Sequence, residues 1–262
     1  MVFDTLLVTI ADGVARVTLN RPQRKNAFSP RMAGELATAL DELEKDERVR
    51  VVVLRGADGN FCSGGDLKGD GDGPTDPPAG GDFLEAYYHP AVLALHHFPR
   101  PVIAVVEGVC AGAGVSLAMG CDFAYAAEGA RFSVIFVHRS LSPDCGGTWL
   151  LPRVVGLQRA KEIALFGDWF DAQDAFRMGV VGDVFSVEEL DDQIDQRVGR
   201  LAALPPLALA ATKRCLNGAF EVGMREALTR ESESQMTLAR TEDFGEAMSA
   251  FAERRPGKYA GR

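Results

Sequence analysis

The sequence predicts an α/β fold followed by a helical C-terminal region, and three observations support this. Short apolar runs rich in β-branched residues alternate with segments of helical period in the first part of the chain. Glycine-rich turns follow the runs that end near Leu54 and Val106. From about Val187 onward, helical periodicity continues with few strand signals. With 262 residues, 47% of them hydrophobic, the chain is long enough for one well-packed core.

The N-terminal part is predicted to form a hairpin and then a helix. Residues 6–10 and 14–19 are rich in β-forming side chains and flank Asp12-Gly13, a dipeptide typical of tight hairpin turns. Ser29 can cap a helix, and Pro30 suits its first position. Apolar residues follow at helical spacing: Met32, Leu36, Leu40 and Leu43.

Two buried strands and four C-terminal helices are predicted next. The continuous apolar runs at residues 51–54 and 102–106 are typical of strands buried on both faces. Helical periodicity predicts the later helices at residues 187–204, 206–220, 223–241 and 243–253. We divide the chain into an α/β core at residues 1–190 and a helical region at residues 191–262.

Charge and cysteine content exclude several classes of function. The net charge of −9 argues against nucleic-acid binding, because phosphate contacts need an excess of Lys and Arg. The five cysteines are odd in number and contain no C-x-x-C spacing, which favours free thiols in a reducing cytoplasm. Asp4 and Asp12 interrupt any signal-peptide core, and the longest uncharged run, at residues 108–121, is too short to span a bilayer. We expect a cytoplasmic protein without membrane partners.

Residues 69–82 are acidic and rich in Gly and Pro, which predicts a mobile loop. Asp70 and Asp72 have a faint similarity to a calcium loop. Pro74 stands where a third ligand belongs and no glutamate closes the pattern, so we expect no metal there.

Two glycine-rich segments follow the predicted buried strands and can present free backbone N–H groups to an anion. The first runs from Phe61 to Leu67 (FCSGGDL) and the second from Gly108 to Leu117 (GVCAGAGVSL). The N–H groups at the start of a helix lack partners and carry partial positive charge. A plain surface turn, or close packing of a helix on a strand, would also select these small residues.

Two other motifs match the second segment poorly. A dinucleotide-binding fingerprint requires glycine where Leu117 stands. The run around Ser116 resembles a nucleophile elbow, but the only later histidine, His138, follows too closely for a hydrolase triad.

Asp144 lies in the turn Pro-Asp-Cys-Gly-Gly that opens a predicted apolar helix. Pro143 fixes the backbone before it, and Gly146-Gly147 permit close packing after it. An aspartate in this place can be a chemical group or an ordinary helix cap. The residues alone leave both interpretations open.

Together, in this order and spacing, these segments resemble the crotonase (enoyl-CoA hydratase/isomerase) superfamily over nearly the whole chain. The resemblance implies a spiral of ββα turns with a helical C-terminal oligomerisation region, assembled as homotrimers or pairs of trimers. Residues 143–153 are most similar to those of isomerases in phenylacetyl-CoA breakdown. The other matching segments are Asn20-Arg21-Pro22, Asn26-Ala27-Phe28, Ser63-Gly64-Gly65-Asp66, Gly112–Gly114, Phe251 and Arg254-Arg255.

The resemblance implies an acyl-CoA thioester as substrate, with coenzyme A entering only as part of it and no metal or other cofactor. The predicted core at residues 1–190 would bind this substrate. The backbone N–H groups that hold the thioester oxygen fall on Ser63 and Ala113. Asp66 is expected to order its loop at the CoA site. Basic residues expected near CoA are Arg21, Arg24 and Lys25, and Lys258 through a neighbouring subunit.

The sequence departs from the hydratases at two positions where that group carries glutamates. Ser116 and Phe136 stand there, and neither can act as a general base near neutral pH. Asp144 matches an acid that non-hydratase members use to shuttle protons, or as a nucleophile in aryl-CoA dehalogenases. We therefore expect double-bond isomerisation, with Asp144 as acid/base in a pocket formed with Ser116, Phe136 and Trp149. Hydration, dehalogenation assisted by His89, and acyl-CoA binding without turnover are the alternatives.

Overall fold

The structure is a computed structural model that describes residues 2–68 and 82–262. The predicted loop at residues 69–82 and its faint calcium pattern lie outside the described residues, except for Asp82. The described strands are β1 Leu6–Ala11, β2 Val14–Leu19, β3 Val51–Gly56, β4 Val102–Val106, β5 Val109–Ala111, β6 Phe123–Ala127, β7 Arg131–Ser133, β8 Phe170–Asp171 and β9 Asp183–Phe185. The described helices are α1 Pro30–Lys45, α2 Phe83–Tyr87, α3 His89–His97, α4 Ala113–Gly120, α5 Gly147–Val155, α6 Leu157–Phe166, α7 Ala172–Met178, α8 Val187–Ala202, α9 Pro206–Asn217, α10 Met224–Leu238 and α11 Glu242–Glu253.

The strands form two sheets, and the chain passes between them twice. The larger sheet has the order β1-β2-β3-β4-β6-β9 and is parallel except for the β1–β2 hairpin. The smaller sheet has the order β5-β7-β8. The chain runs β4–β5–α4 and then β6–β7–α5. Each turn therefore contributes one strand to the larger sheet, one strand to the smaller sheet and then a helix. These are two successive ββα turns of the expected spiral.

The central strands β3 and β4 of the larger sheet are buried on both faces, as the continuous apolar runs predict. In β3, Val52 and Leu54 point into the main core, which also contains α1 and α4. The alternate residues Val51 and Val53 pack against α8 through Leu190 and its neighbours. Strands covered in this way have no polar face, which explains why β3 and β4 lack the alternation in burial that the outer strands β1 and β2 show.

The predicted N-terminal elements are confirmed. Asp12 and Gly13 both have positive φ, 49° and 80°, as a tight hairpin turn requires. The Ser29 hydroxyl accepts the Met32 N–H at 3.2 Å and caps α1. The four apolar residues that predicted α1 are all buried: Met32, Leu36, Leu40 and Leu43.

The four C-terminal helices are also confirmed as α8–α11. The boundary predicted between residues 190 and 191 falls inside α8, however. Three residues of α8 (Leu190, Ile194 and Val198) are buried against the larger sheet, so this helix belongs to the core. A division that keeps α8 with the sheet therefore falls between α8 and α9.

The cysteines are free, as predicted. In the described part of the chain, every helix is too short or too polar to cross a membrane.

Candidate active site

The two glycine-rich segments lie side by side in parallel register. Cys62 donates its N–H to the Val109 carbonyl at 3.0 Å and accepts the Ala111 N–H at 2.9 Å. Just past this bridge Gly64 lies beside Gly112, and Gly65 and Ala113 follow these two glycines directly in sequence. Both Gly64 and Gly112 have positive φ, 104° and 51°. A Cβ on Gly112 would lie 3.5 Å from the Gly64 Cα, so the segments approach as closely as glycine permits.

The free N–H groups at this junction belong to Gly65 and Ala113. Ala113 is the first residue of α4, where an N–H has no partner within its helix. The N–H of Gly65 has no acceptor among the described residues. The Ser63 N–H, which the resemblance implied as a donor, is already bonded to the Lys25 carbonyl at 3.0 Å. The Ser63 N–H is therefore not free to hold a ligand in this structure, whereas the N–H groups of Gly65 and Ala113 are available.

Asp144 is not a helix cap. The chain turns through Cys145 and Gly146 with φ values of 49° and 79°, and Gly146 takes the cap position of α5 without a side-chain bond. The Gly147 N–H bonds the Asp144 main-chain carbonyl at 2.8 Å. The carboxylate Oδ1 is buried and has no hydrogen-bond partner among the described residues. Burial raises the pKa of this carboxyl above its ordinary value.

Asp144 and Gly65 line one cavity of about 540 Å³. Its apolar part comes from the 3-10 turn Ile135–Arg139, the segment after it and the approach to β8. The Phe136 ring lies against Gly112, 3.7 Å from where a Cβ on that glycine would stand. Among the described lining residues, only Asp66 and Asp144 are acidic. The larger apolar side chains of the lining include Ile135, Phe136, Leu141 and Trp169.

Asp66 is held in a buried ion pair. Its Oδ2 accepts Arg21 Nη2 at 2.8 Å, with side chains only 5% and 2% exposed. Arg21 also donates to the Ala27 carbonyl at 2.7 Å. These bonds fix the glycine-rich loop, as expected for Asp66. Arg21 is turned away from solvent, so the structure contradicts its expected contact with CoA.

The basic residues at the cavity come from three segments. Arg24 and Lys25 line it as predicted, next to the glycine-rich loop. Lys68 and Arg139 also line it and were not predicted, although both stand in or beside the segments that carry the motifs. This local excess of positive charge suits a polyanion on an acidic protein. Lys258 lies elsewhere on the chain, among Glu246 and other residues of the C-terminal region.

Two of the three predicted pocket residues have other positions. Phe136 lines the cavity as expected. Ser116 is buried, and its hydroxyl donates to the Asp144 main-chain carbonyl at 3.0 Å instead of facing the cavity. Trp149 lines a different cavity, where the Arg153 guanidinium stacks on its ring at 3.7 Å. Trp149 therefore contributes no wall to the Asp144 cavity.

Tyr88 was missed by the sequence reasoning. It is buried, its hydroxyl donates to the Phe28 carbonyl at 3.3 Å, and burial followed by the charges of Cys145 and Asp144 raises its pKa. Apart from its place just before His89, nothing in the sequence indicated that Tyr88 would lie near the Asp144 turn. His89 itself is exposed and is the smallest of the influences on the pKa of Asp144.

Comparison with known proteins gives one consistent result. The enoyl-CoA hydratase/isomerase family model matches residues 9–262. The chain is 39% identical over 258 residues to the 1,2-epoxyphenylacetyl-CoA isomerase of Escherichia coli K12, covering 98% of each chain. It is 36% identical over 262 residues to a probable enoyl-CoA hydratase of Rhodobacter capsulatus, covering 100% of each.

Solved structures agree with this result. The crystal structure of a putative enoyl-CoA hydratase from Streptomyces coelicolor A3(2) matches with a TM-score of 0.91 and 37% identity. The match covers 99% of this chain and 95% of that one.

Proposed function

Because the chain belongs to the enoyl-CoA hydratase/isomerase family and is an enzyme of that family, we propose that it isomerises the double bond of an enoyl-CoA, with Asp144 as its single acid/base. The observation that carries the proposal is the Asp144 carboxyl. It is the one described acid in the cavity without an ion-pair partner, and its Oδ1 is buried with no hydrogen bond. A carboxyl in such surroundings is a stronger base when ionised than one in water.

The chemistry begins at the thioester oxygen. In the proposed complex, this oxygen accepts hydrogen bonds from the N–H groups of Gly65 and Ala113. These bonds stabilise the negative charge that develops on the oxygen. Each such donor in a dry site contributes roughly 3–4 kcal/mol to the transition state. The Asp144 carboxylate then takes a proton from C2 of a 3-enoyl-CoA, and the electron pair delocalises over O1, C2 and C4 as a dienolate. Asp144 returns the proton to C4, which leaves the double bond between C2 and C3.

The neighbourhood of Asp144 favours proton transfer over addition of water. A hydratase must position a water molecule and move its proton, which normally takes more than one acidic group. The Phe136 ring occupies the side next to Gly112, and the Ser116 hydroxyl is committed to the Asp144 carbonyl. A single carboxyl is enough for a 1,3 shift of the proton.

Isomerisation of an epoxidised aryl-CoA is a second candidate. The relative from Escherichia coli carries the name of that reaction. The side chains of Phe136, Leu141 and Trp169 form an apolar lining that suits a ring as well as an alkyl chain. The same oxyanion donors would hold the thioester in both reactions.

The CoA phosphates are proposed to lie at the mouth of the cavity, beside Arg24, Lys25, Lys68 and Arg139. We propose that the protein works as a homotrimer or a pair of trimers, with Lys258 near the CoA of a neighbouring subunit. The support comes from α10, a 15-residue helix with no buried residue in the single chain. An isolated helix of this length is only marginally stable in water. We therefore expect a partner surface to cover it.

The reaction is tested by incubating the purified protein with a 3-enoyl-CoA in deuterated water and analysing the product. A 2-enoyl-CoA that carries deuterium is expected, and Asp144→Asn should slow its formation by about 10³-fold. Glu107→Gln is the matched control, because Glu107 is a partly buried acid that pairs with Arg55 at 2.7 Å outside the cavity. The control should retain wild-type turnover.

Two other outcomes would overturn the proposal. Accumulation of a 3-hydroxyacyl-CoA as the first product would identify a hydratase. An absence of any product from 3-enoyl-CoA, with rapid conversion of an epoxidised phenylacetyl-CoA, would establish the second candidate instead.

A further inference from the structure

The Asp144 turn is tied to helix α4 by one side chain. The Ser116 hydroxyl donates to the Asp144 main-chain carbonyl at 3.0 Å, and Ser116 is only 3% exposed. Among the described residues, no other side chain makes a hydrogen bond to this carbonyl. Its remaining bond comes from the Gly147 N–H within the turn itself.

Helix α5 approaches Ser116 so closely that only glycine fits at its first position. A Cβ on Gly147 would lie 2.8 Å from the Ser116 Oγ and 3.3 Å from the Pro143 Cβ. The same Cβ would lie 3.9 Å from the Ser116 Cβ, which is an ordinary contact. The Ser116 hydroxyl is therefore the atom against which the start of α5 is packed.

Helix α4 also carries one of the two oxyanion donors. Ala113 and Ser116 are three residues apart, so they share one face of the helix. The Asp144 Oδ1 has no hydrogen-bond partner among the described residues, and the carboxyl is hydrogen-bonded only within its own turn, to the neighbouring Cys145 thiol. The distance between the proposed base and the oxyanion is then set by the main chain of the turn and by the Ser116 bond that anchors it to α4.

We propose that Ser116 is a positioning residue that holds the Asp144 carboxylate in line with the oxyanion donors. This inference rests on the proposed function, because positioning has a catalytic effect only if Asp144 moves the proton. The positioning role accounts for the Ser116 hydroxyl, which bonds the Asp144 carbonyl and does not face the cavity. A misplacement of a catalytic group by about 1 Å can cost about 100-fold in rate.

The test compares Ser116→Ala with Ser133→Ala in the assembled enzyme. Ser133 is a matched control because it is fully buried and its hydroxyl also donates to a main-chain carbonyl, that of Gly167, at 2.8 Å. Ser116→Ala is expected to lower kcat by roughly 10- to 100-fold with KM unchanged. Ser133→Ala is expected to keep kcat within about threefold.

Two further measurements separate positioning from general loosening of the fold. Hydrogen exchange should accelerate in the peptide around Gly147 in Ser116→Ala and remain unchanged there in Ser133→Ala. Gly147→Ala should lower kcat strongly in the wild type. In the Ser116→Ala background it should add less, because the closer of the two tight contacts, the one with the hydroxyl, is gone.

Equal kcat values in Ser116→Ala and the wild type, or additive effects of the two substitutions, would overturn the positioning role. Unchanged exchange at Gly147 would also overturn it. The exchange measurement needs no substrate. Faster exchange in an enzyme that proves not to isomerise any enoyl-CoA would therefore refute the proposed function while retaining the link between Ser116 and the turn.

Discussion

At the scale of single residues, the two acids of the cavity show how surroundings divide their roles. Asp66 is paired with Arg21, and this ion pair fixes the glycine-rich loop. Asp144 is buried without a partner for Oδ1, an arrangement that costs stability. Proteins accept such a cost at functional sites, where a carboxyl of raised pKa is useful as a base.

The pH profile should report the Asp144 carboxyl. Burial raises its pKa, and the proposed base acts only when ionised. We expect kcat/KM to fall as the pH decreases through this raised pKa, at a higher pH than for an ordinary carboxyl near 4. Measurement of kcat/KM from pH 4 to pH 9 checks this. A rate that is flat down to the ordinary carboxyl range would contradict it.

Asp144→Asn should make the protein more stable at neutral pH. The folded state binds the Asp144 proton more tightly than the unfolded state, so ionisation favours unfolding as the pH rises through the raised pKa. The amide cannot ionise and avoids this cost. Thermal unfolding should give a higher Tm for the variant at pH 7 and no difference at a pH where Asp144 is protonated in both states. A lower Tm for the variant at pH 7 would contradict the prediction.

The basic residues at the cavity mouth should affect binding more than chemistry. Lys25→Ala is expected to raise KM for the CoA ester severalfold with kcat unchanged, because Lys25 would contact phosphate equally in ground and transition states. The effect should shrink at high salt. Lys45→Ala is the control, since Lys45 is exposed on α1 and pairs with Asp41. Equal KM values for both variants would contradict a role for Lys25.

At the scale of elements, local sequence patterns predicted the hairpin, α1, the buried strands and α8–α11 because each is specified by its own periodicity and caps. It was not predictable in this way that the free N–H belongs to Gly65 and not to Ser63. This depends on whether the Lys25 carbonyl, 38 residues earlier, takes the Ser63 N–H. Trp149 was misplaced for a similar reason: its cavity depends on how α5 packs against α9, which no local pattern specifies.

Helix α4 requires glycine where it passes the first glycine-rich segment. A Cβ on Gly114 would lie 2.5 Å from the Cys62 carbonyl oxygen, a backbone atom that cannot move freely. We expect Gly114→Ala to lower the free energy of unfolding by about 1–3 kcal/mol and to displace the Ala113 N–H. Denaturant unfolding and kcat measure both effects.

Gly34→Ala is the matched control for that change. Gly34 lies within α1, and a Cβ there would meet no atom within 4 Å. The substitution should stabilise the protein by about 0.5–1 kcal/mol because alanine is the better helix former. Destabilisation by both substitutions to the same extent would contradict the packing argument for Gly114.

At the scale of the whole molecule, the site is assembled from distant parts of an α/β spiral. The parallel register of residues 62 and 110 brings two loops together, and α4 links one of them to the Asp144 turn. The family resemblance pointed to these segments and to Ala113, whose role as a donor stays a prediction. The bond from Ser116 and the pairing of Arg21 with Asp66 depend on three-dimensional contacts that the residues alone do not specify.

The C-terminal helices should mediate assembly. The described residues of α10 include the exposed apolar side chains Met224, Leu228 and Met236. We expect sedimentation to give a trimer or a pair of trimers for the wild type and smaller species for Leu228→Glu. Leu7→Glu, at an equally exposed leucine of β1, is the control and should leave the assembly intact. A monomeric wild-type protein would contradict the proposal.

The most direct test follows the proton itself. A 3-enoyl-CoA deuterated at C2 is converted in ordinary water by the wild type and by Asp144→Asn. One acid/base at residue 144 predicts that part of the deuterium moves from C2 to C4 in the wild type. It also predicts a fall in rate of about 10³-fold in Asp144→Asn. Turnover of Asp144→Asn within tenfold of the wild type, with the same transfer of deuterium, would contradict the assignment of Asp144 as the base.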